Sequence, residues 1–481
     1  DMTKPFCVLG IETSCDDNSA SVVRSDGTIL SNVVYSQHEV HEQYGGIVPG
    51  LAMENHQANI DLAVAGAIEE AGLSSVADVD AIAVTKGPGL EICLRVGFRK
   101  AQMLAQEYCK PFVTTHHLES HCLIARLAGE VAESEAEERT ESKEDCAGAG
   151  DSDFDGGEQT GGIGRGNDEH KQEKDRVGAH FEAKISYPFL ALLASGGHTS
   201  LLLCKAMGNY DVIGATLDDA LGEAFDKGAR LVGVRTGGAG GAAVEALAKN
   251  GEIRTEQYGL KVPMQNKPNC DFSYAGLKNA MRLAVEKARA ENGLDVSSTN
   301  APARAGEKAP SPVVLPEQVQ ADLCATFQDV AISHVEDRVG RAIDYLEEQG
   351  ISTSSFVVVG GVAANQELKR RLLALLSRRS KTIPEGTFQH DITLERESVP
   401  AKPWQLFFPP VKLCTDNGVM AAWAGIEKMA LGMSDVIEGQ EVVARWALGQ
   451  PLIEQPGNEA LKFRRRRRIA RKASIEAQSA P

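Results

Sequence analysis

No run in the 481 residues approaches the roughly 20 consecutive apolar residues of a membrane-crossing helix, so an integral helical membrane protein is excluded. The ten cysteines include no Cys-x-x-Cys pair, which removes a disulfide framework and a zinc ribbon; scattered thiols suit a reducing compartment. There is no Gly-x-x-x-x-Gly-Lys-Ser/Thr, so a P-loop nucleotide site is absent. His-Glu-x-x-His is missing too, and with it the zincin peptidase chemistry that needs a glutamate directly after the first histidine. Basic charge is in deficit, with 50 Lys+Arg against 67 Asp+Glu and a net charge of −17. An acidic chain is a poor nucleic-acid binder if its charge is evenly spread.

It is not evenly spread. Between Gly129 and Arg176 stand 16 acidic and 6 basic residues, so this window alone carries −10 of the −17. Its low apolar content and many glycines predict a disordered insertion over 129–184. A Pro/Ala/Ser loop is expected at 294–312 and an irregular one at 381–403. The last segment, 451–481, holds eight basic residues in the eleven from Lys462 to Lys472. That tail reads either as solvated chain or as an electrostatic grip on a polyanion. Because the chain starts at Asp1, an upstream segment carrying any targeting peptide is expected.

At roughly 100–200 residues per domain the length allows two to four domains. The apolar runs Phe6–Ile11 and Ala20–Val23 flank a polar turn and predict strand, turn, strand, with a third strand over Ile29–Ser36. Helical spacing follows over Ala52–Glu70, then a buried strand at Asp80–Thr85, a helix from Cys93 to Tyr108, a strand at Pro111–Thr115 and a helix from His116. After the insertion the same grammar returns. Strands are predicted at Pro188–Ala194 and Thr199–Cys204, a helix at Asp218–Leu231, a long helix at Gln320–Leu346, a buried strand at Phe356–Gly361 and a helix at Asn365–Ser377. Two related α/β lobes with a cleft between them account for the repetition.

Several turns carry chemistry. His117 and His121 stand four apart, so on a helix they share one face and can converge on one metal ion. A carboxylate would complete such a site, and Asp416, on a turn before a helix starting near Val419, is the candidate. A helix N-cap is the competing reading for Asp416, and spacing leaves both open. The adjacent glycines of Leu193-Ala-Ser-Gly-Gly-His198 let a turn approach a phosphate closely; a plain hairpin is the alternative. Val359-Gly-Gly-Val-Ala-Ala-Asn365 opens a helix where a nucleotide can dock, although it does not match Gly-x-Gly-x-x-Gly. Glu12, Asp16 and Asp17 crowd one turn after a buried strand, placed to orient an amine or a metal-bound water. Asp218, Asp219, Glu223, Asp226 and Lys227 read mainly as a solvated helix face.

In order, VLGIETSCDD, TKGPGL, HHLESH, ASGGHTS, DDALGEAFDKGARL, CDFSYAGLK, GGVAAN and CTDNGVMAAWAG resemble the TsaD family, the tRNA N6-adenosine threonylcarbamoyltransferases once labelled glycoproteases. The likeness runs from Val8 to Gly449 outside the insertion and the Pro-rich loops, and it is nearest to the organellar eukaryotic branch in CLRVGFRKA and ARWALGQ. The resemblance implies a two-lobed α/β fold of the actin, Hsp70 and sugar-kinase type. Lobe I would span 1–128, completed by 412–450, and lobe II 185–411. It also implies transfer of a threonylcarbamoyl group from threonylcarbamoyl-adenylate to tRNA, at N6 of the adenosine beside the anticodon of tRNAs reading codons that begin with A.

Carried onto this chain, the resemblance makes His117, His121 and Asp416 ligands of one divalent metal, Fe or Zn. Leu193, Ala194, Ser195, Gly196, Gly197, Asp226, Gly241 and Asn365 would hold the adenylate, with Asp16 and Glu12 as catalytic candidates. It further implies a homodimer in a mitochondrion or plastid. Departures from the family pattern are Ala242, Asn18 and Gly50, and Gly50 stands where bacterial relatives carry glutamate. A small-molecule kinase of the same fold and a non-catalytic subunit of a tRNA-modification complex are the rival functions.

Overall fold

The computed structural model describes residues 4–42, 44, 46–128, 130–131, 185–234, 240–294, 315–380 and 403–451. The acidic insertion beyond Val131, most of the Pro-rich loop, most of the irregular loop and the basic tail therefore lie outside the described residues.

The first sheet holds β1 (Cys7–Glu12), β2 (Asn18–Arg24), β3 (Val33–Tyr35), β4 (Ala81–Gly87) and β5 (Phe112–His116), in the order β3-β2-β1-β4-β5. β1 pairs antiparallel with β2 and parallel with β4, which pairs parallel with β5. The second sheet contains β6 (Glu130–Val131), β7 (Phe189–Ala194), β8 (Thr199–Ala206), β9 (Asn209–Ala215), β10 (Ser355–Val359), β11 (Gln405–Phe408) and β12 (Gln450–Pro451). Its order is β12-β9-β8-β7-β10-β11-β6. The run β9-β8-β7-β10-β11 repeats the first sheet's order and its sense of pairing, three antiparallel strands followed by two parallel neighbours.

Among the described residues nine longer helices cover the sheets: α1 (Pro49–Glu70), α2 (Glu91–Glu107), α3 (His117–Ala128), α4 (Leu221–Val232), α5 (Gly240–Ala248), α6 (Ala275–Glu291), α7 (Glu317–Glu348), α8 (Gln366–Ser380) and α9 (Gly418–Ala430). β1 and β7 are buried on both faces, which is why they read as unbroken apolar runs. α9 lies against the first sheet through small residues. A Cβ added at Gly10 would come within 2.2 Å of the Gly418 carbonyl oxygen and 2.4 Å of the Ala422 nitrogen. Only glycine at β1 admits a helix this close.

α3 belongs to two cores. Leu123, Ile124 and Leu127 pack with α9 and the first sheet, while Leu118, Cys122 and Ala125 pack with Phe189, Ala191, Leu193 and Val357 of the second. The chain after α9 then spans both lobes. The Asp435 amide donates to the Phe112 carbonyl (2.8 Å) and its carboxylate accepts from the Thr114 amide (2.7 Å). Val443 donates to the Lys86 carbonyl (2.8 Å) before β12 joins β9 in parallel on the second sheet.

Four sequence expectations are corrected. The third strand is only Val33–Tyr35, because the Leu30 and Ser31 amides both turn back onto the Val22 carbonyl. The helix expected from Asp218 starts at Leu221, since Asp218 instead accepts from the Tyr274 and Ala275 amides and the Ser273 hydroxyl. Glu130 and Val131, assigned to the insertion, form an edge strand on β11. The fourth is β11, Gln405–Phe408, in a stretch for which no element was expected. No helix among the described residues is long and apolar enough to cross a membrane.

Candidate active site and metal centre

The site is built at the C-terminal ends of β1, β4 and β5. His116 ends β5 and orients α3: its Nδ1 accepts the Leu118 amide (3.2 Å), and its Nε2 donates to the Trp446 carbonyl (3.2 Å), with the two rings 4.6 Å apart. Burial pushes its pKa down to about 3, in keeping with a neutral, structural imidazole. One turn on, His117 and His121 face each other with ring centroids 4.7 Å apart. Asp416 Oδ1 lies 3.0 Å from His121 Nε2 and 3.7 Å from His117 Nε2. The three donor atoms converge within 4.8 Å of one another.

Asp416 is free for this position because its neighbour takes the cap. Asn417 Oδ1 accepts the Met420 amide (3.0 Å) and Nδ2 donates to the Thr415 carbonyl (2.7 Å), so the N-cap alternative for Asp416 does not hold. The Gly418 amide donates to Ser19 Oγ (2.7 Å) and ties the turn to β2.

Behind His117 stands Glu12, wholly buried. Its Oε2 receives the Thr85 hydroxyl (2.5 Å) and lies 3.3 Å from His117 Nδ1, while Oε1 accepts the Ser14 amide (2.5 Å). Ser14 Oγ also reaches His117 Nδ1 (3.1 Å). Glu12, named above as a catalytic candidate, thus stands as a buried partner of His117. Burial opposes its charge, but His117 and the Thr85 hydroxyl bring its pKa below the ordinary carboxylate value. His117 is likewise disfavoured by burial, yet Asp416 and Glu12 push it up to about 9. Asp416 is held well below the usual range by His117 and His121 against the effect of burial. His198, which no role had been given, is lowered to about 4 by burial and by the neighbouring His117 and His121. ASGGHTS contained that signal.

The donor set fits a borderline divalent metal. A proton on His117 Nδ1, held by Glu12, leaves the Nε2 lone pair toward His121 Nε2 and Asp416 Oδ1, the carboxylate–histidine support usual at such centres.

Across from it, the Ser195–His198 turn closes on itself. The Ser195 amide donates to the His198 carbonyl (2.8 Å), and Ser195 Oγ accepts from the Gly197 (3.3 Å) and His198 (3.1 Å) amides. Nothing lies within 4 Å of where a Cβ would stand on Gly196 or Gly197, so this turn is open to a ligand. Leu193 and Ala194 are fully buried strand residues and position the turn through their backbone alone. The N-terminus of α4 abuts it: the Gly222 amide donates to the Ser195 carbonyl (3.1 Å). Gly360, at φ +91°, packs against the Ala194 carbonyl and brings the second glycine turn alongside. Asp226, raised by burial, accepts from the Gly240 and Gly241 amides at the start of α5. Asn365 caps α8 through Oδ1 to the Leu368 amide (2.8 Å) and gives Nδ2 to Gln328 (3.1 Å), so much of its amide is already engaged. Asp16 is not one of the three converging donors; its carboxylate lies 3.5 Å from His38 Nδ1.

Paired sheets of one strand order, with a His–His–Asp cluster at the ends of the first and glycine turns at the ends of the second, define a two-lobed α/β protein. The profile described as "TsaD: tRNA N6-adenosine threonylcarbamoyltransferase" matches residues 28–134 and 176–423, and the chain belongs to this family. A protein of Arabidopsis thaliana named "Probable tRNA N6-adenosine threonylcarbamoyltransferase, mitochondrial" is 37% identical over 451 residues, 92% of this chain and 75% of that one. The tRNA N6-adenosine threonylcarbamoyltransferase of Paramagnetospirillum magneticum is 35% identical, covering 89% of this chain and 93% of its own. Among solved structures, full-length HypF covers 89% of this chain and 56% of its own at 11% identity and TM-score 0.41.

Proposed function

We propose that this chain transfers the threonylcarbamoyl group from threonylcarbamoyl-adenylate to N6 of the adenosine beside the anticodon in tRNAs reading codons that begin with A, releasing AMP. Family membership supports the reaction, and the convergence of His117, His121 and Asp416 supports the place where it occurs. In this reading the three residues hold one divalent metal, Fe or Zn, which supplies Lewis acidity to the donor's carbonyl and phosphate oxygens.

The protein's own groups do the rest. Glu12 and Ser14 fix the His117 ring, and with it the direction of the Nε2 lone pair. The open backbone of Gly196 and Gly197 takes the donor's phosphate, with the N-terminal turn of α4 behind it. Gly241 and Asp226, and Asn365 with Gln328, line the region assigned to the adenosine. Asp16, on the β1–β2 turn, orients the N6 amine or takes its proton as the carbonyl carbon is attacked. The amine is a weak nucleophile, and the AMP leaving group already activates the acyl carbon, so positioning and charge stabilisation carry the rate. The chain works as a homodimer in mitochondria or plastids, a placement supported by the mitochondrial name of its Arabidopsis relative.

The deciding experiment is Asp416→Ala with synthetic threonylcarbamoyl-adenylate and unmodified tRNA. Transfer is expected to fall by about 100-fold or more, the size of effect typical when a key electrostatic group is lost. Full activity would remove the metal assignment, and rapid ATP turnover with a small acceptor would instead indicate a kinase.

A further inference from the structure

We propose that Asp16, Asp17 and His38 form a second divalent-cation site, separate from the His117–His121–Asp416 centre. The proposal stands on the chain's own side chains and does not depend on the acyl-transfer reading.

Each of the three residues offers a ligand atom, and these atoms lie within 4.8 Å of one another. His38 Nδ1 is 3.5 Å from Asp16 Oδ2, too long for a strong hydrogen bond and consistent with donors arranged around a shared point. Asp17 is the independent sign. The residue is only 7% exposed, yet its Oδ1 has no hydrogen-bond partner among the described residues. An ionised carboxylate in that situation is costly unless a cation or a proton neutralises it.

Ordinary neutralisation is missing. Among the described residues no Lys or Arg pairs with Asp16 or Asp17. The charges that act on Asp17 are Asp16 and Asp416, of its own sign, and His38, with a further hydrogen bond to Ser36.

The frame around the cluster is rigid. His56, wholly buried, reaches the Cys15 carbonyl through Nε2 (3.0 Å), and the Asn18 amide reaches the His56 carbonyl (3.4 Å), which pins the turn on both sides of Asp16–Asp17. His41 is engaged elsewhere, with Gln37 (3.3 Å) and the Val48 amide (3.3 Å). His38 is exposed, leaving its side of the cluster open for water ligands. Two carboxylates with one imidazole suit a cation between the hard and borderline classes, Mn2+ before Mg2+ or Zn2+.

The test is Mn2+ binding to the chelator-stripped full chain, read by equilibrium dialysis and by loss of the free-ion EPR signal. Wild type should bind two Mn2+ per chain, and His38→Ala, an exposed and structurally benign change, should retain one. Asp17→Asn should weaken the same site by about tenfold or more, while Asp416→Ala should remove the other. Thermal melting of each variant identifies any that fails to fold, and His38→Ala alone then suffices. One bound Mn2+ in wild type, lost in Asp416→Ala and untouched in His38→Ala, would overturn the proposal. So would two sites that persist in both His38→Ala and Asp17→Asn. Because metal content is read and not transfer, either outcome leaves the acyl-transfer reading to its own experiment.

Discussion

Glu12→Gln isolates what a buried carboxylate does for His117, a proposed metal ligand. Glutamine keeps the side chain's volume, and Oε1 can still accept the Ser14 amide. The other atom becomes an NH2 facing both the Thr85 hydroxyl and His117 Nδ1. A donor there requires Nδ1 to be the acceptor, so the imidazole proton moves to Nε2. That nitrogen points toward Asp416 Oδ1, 3.7 Å away, and its lone pair is no longer available to a metal.

Loss of a supporting partner of this kind lowers metal affinity about 10–100-fold, equivalent to about 1.4–2.8 kcal/mol. Competition with a chromophoric chelator reads the affinity, and transfer assays over a metal titration read the consequence. The expected pattern is activity that recovers at high metal with an unchanged donor KM. Unaltered metal affinity in a folded Glu12→Gln protein would refute the tautomer argument. A variant inactive at every metal concentration would instead give Glu12 a direct part in catalysis.

The His117 proton makes metal binding pH-dependent. With its metal-free pKa raised to about 9, each unit below that value should cost about tenfold in affinity, so binding measured from pH 7 to 9 should tighten steadily; a flat profile contradicts it. Gly222→Ala would place a Cβ 2.6 Å from the Ser195 carbonyl oxygen and 2.7 Å from its carbon, displacing the open turn. Donor KM should rise with metal content unchanged, which metal analysis and steady-state kinetics check together. Truncation after Pro456 removes the eight basic residues of the tail and should weaken tRNA binding while flattening its salt dependence. An unchanged slope of log affinity against log salt would make that segment plain solvated chain.

The repeated strand–turn–strand openings were legible because β1 and β7 are central strands buried on both faces, and such strands leave continuous apolar runs. The pairing of His117 with His121 was legible from helical spacing alone. Asp416 was not, because Asp and Asn cap helices equally well and only the structure shows that Asn417 holds the cap. The surroundings of Glu12 were hidden for a related reason. It stands in the same turn as Asp16, but whether a carboxylate faces solvent or a buried imidazole depends on His117 and Thr85, residues distant in sequence. β11 and the two-residue strands β6 and β12 exist through pairing with distant strands, and so short a segment carries no period to read. The early start expected for α4 came from Asp218, whose partners at 273–275 override its local helical preference.

α3 contributes apolar residues to the core of each lobe, and its first turn holds both histidines. Asp416 is anchored differently, through Gly418 to β2 of the first sheet. A pivot that is also part of the tool has a mechanical consequence. Any rocking of the second lobe is transmitted through Leu118, Cys122 and Ala125 to the helix carrying the histidines, while the aspartate stays with the first lobe. In the proposed reading, the width of the jaws and the bite on an ion held by these residues would therefore be geared together, and a donor that drew the jaws shut would also adjust the triangle of atoms between them.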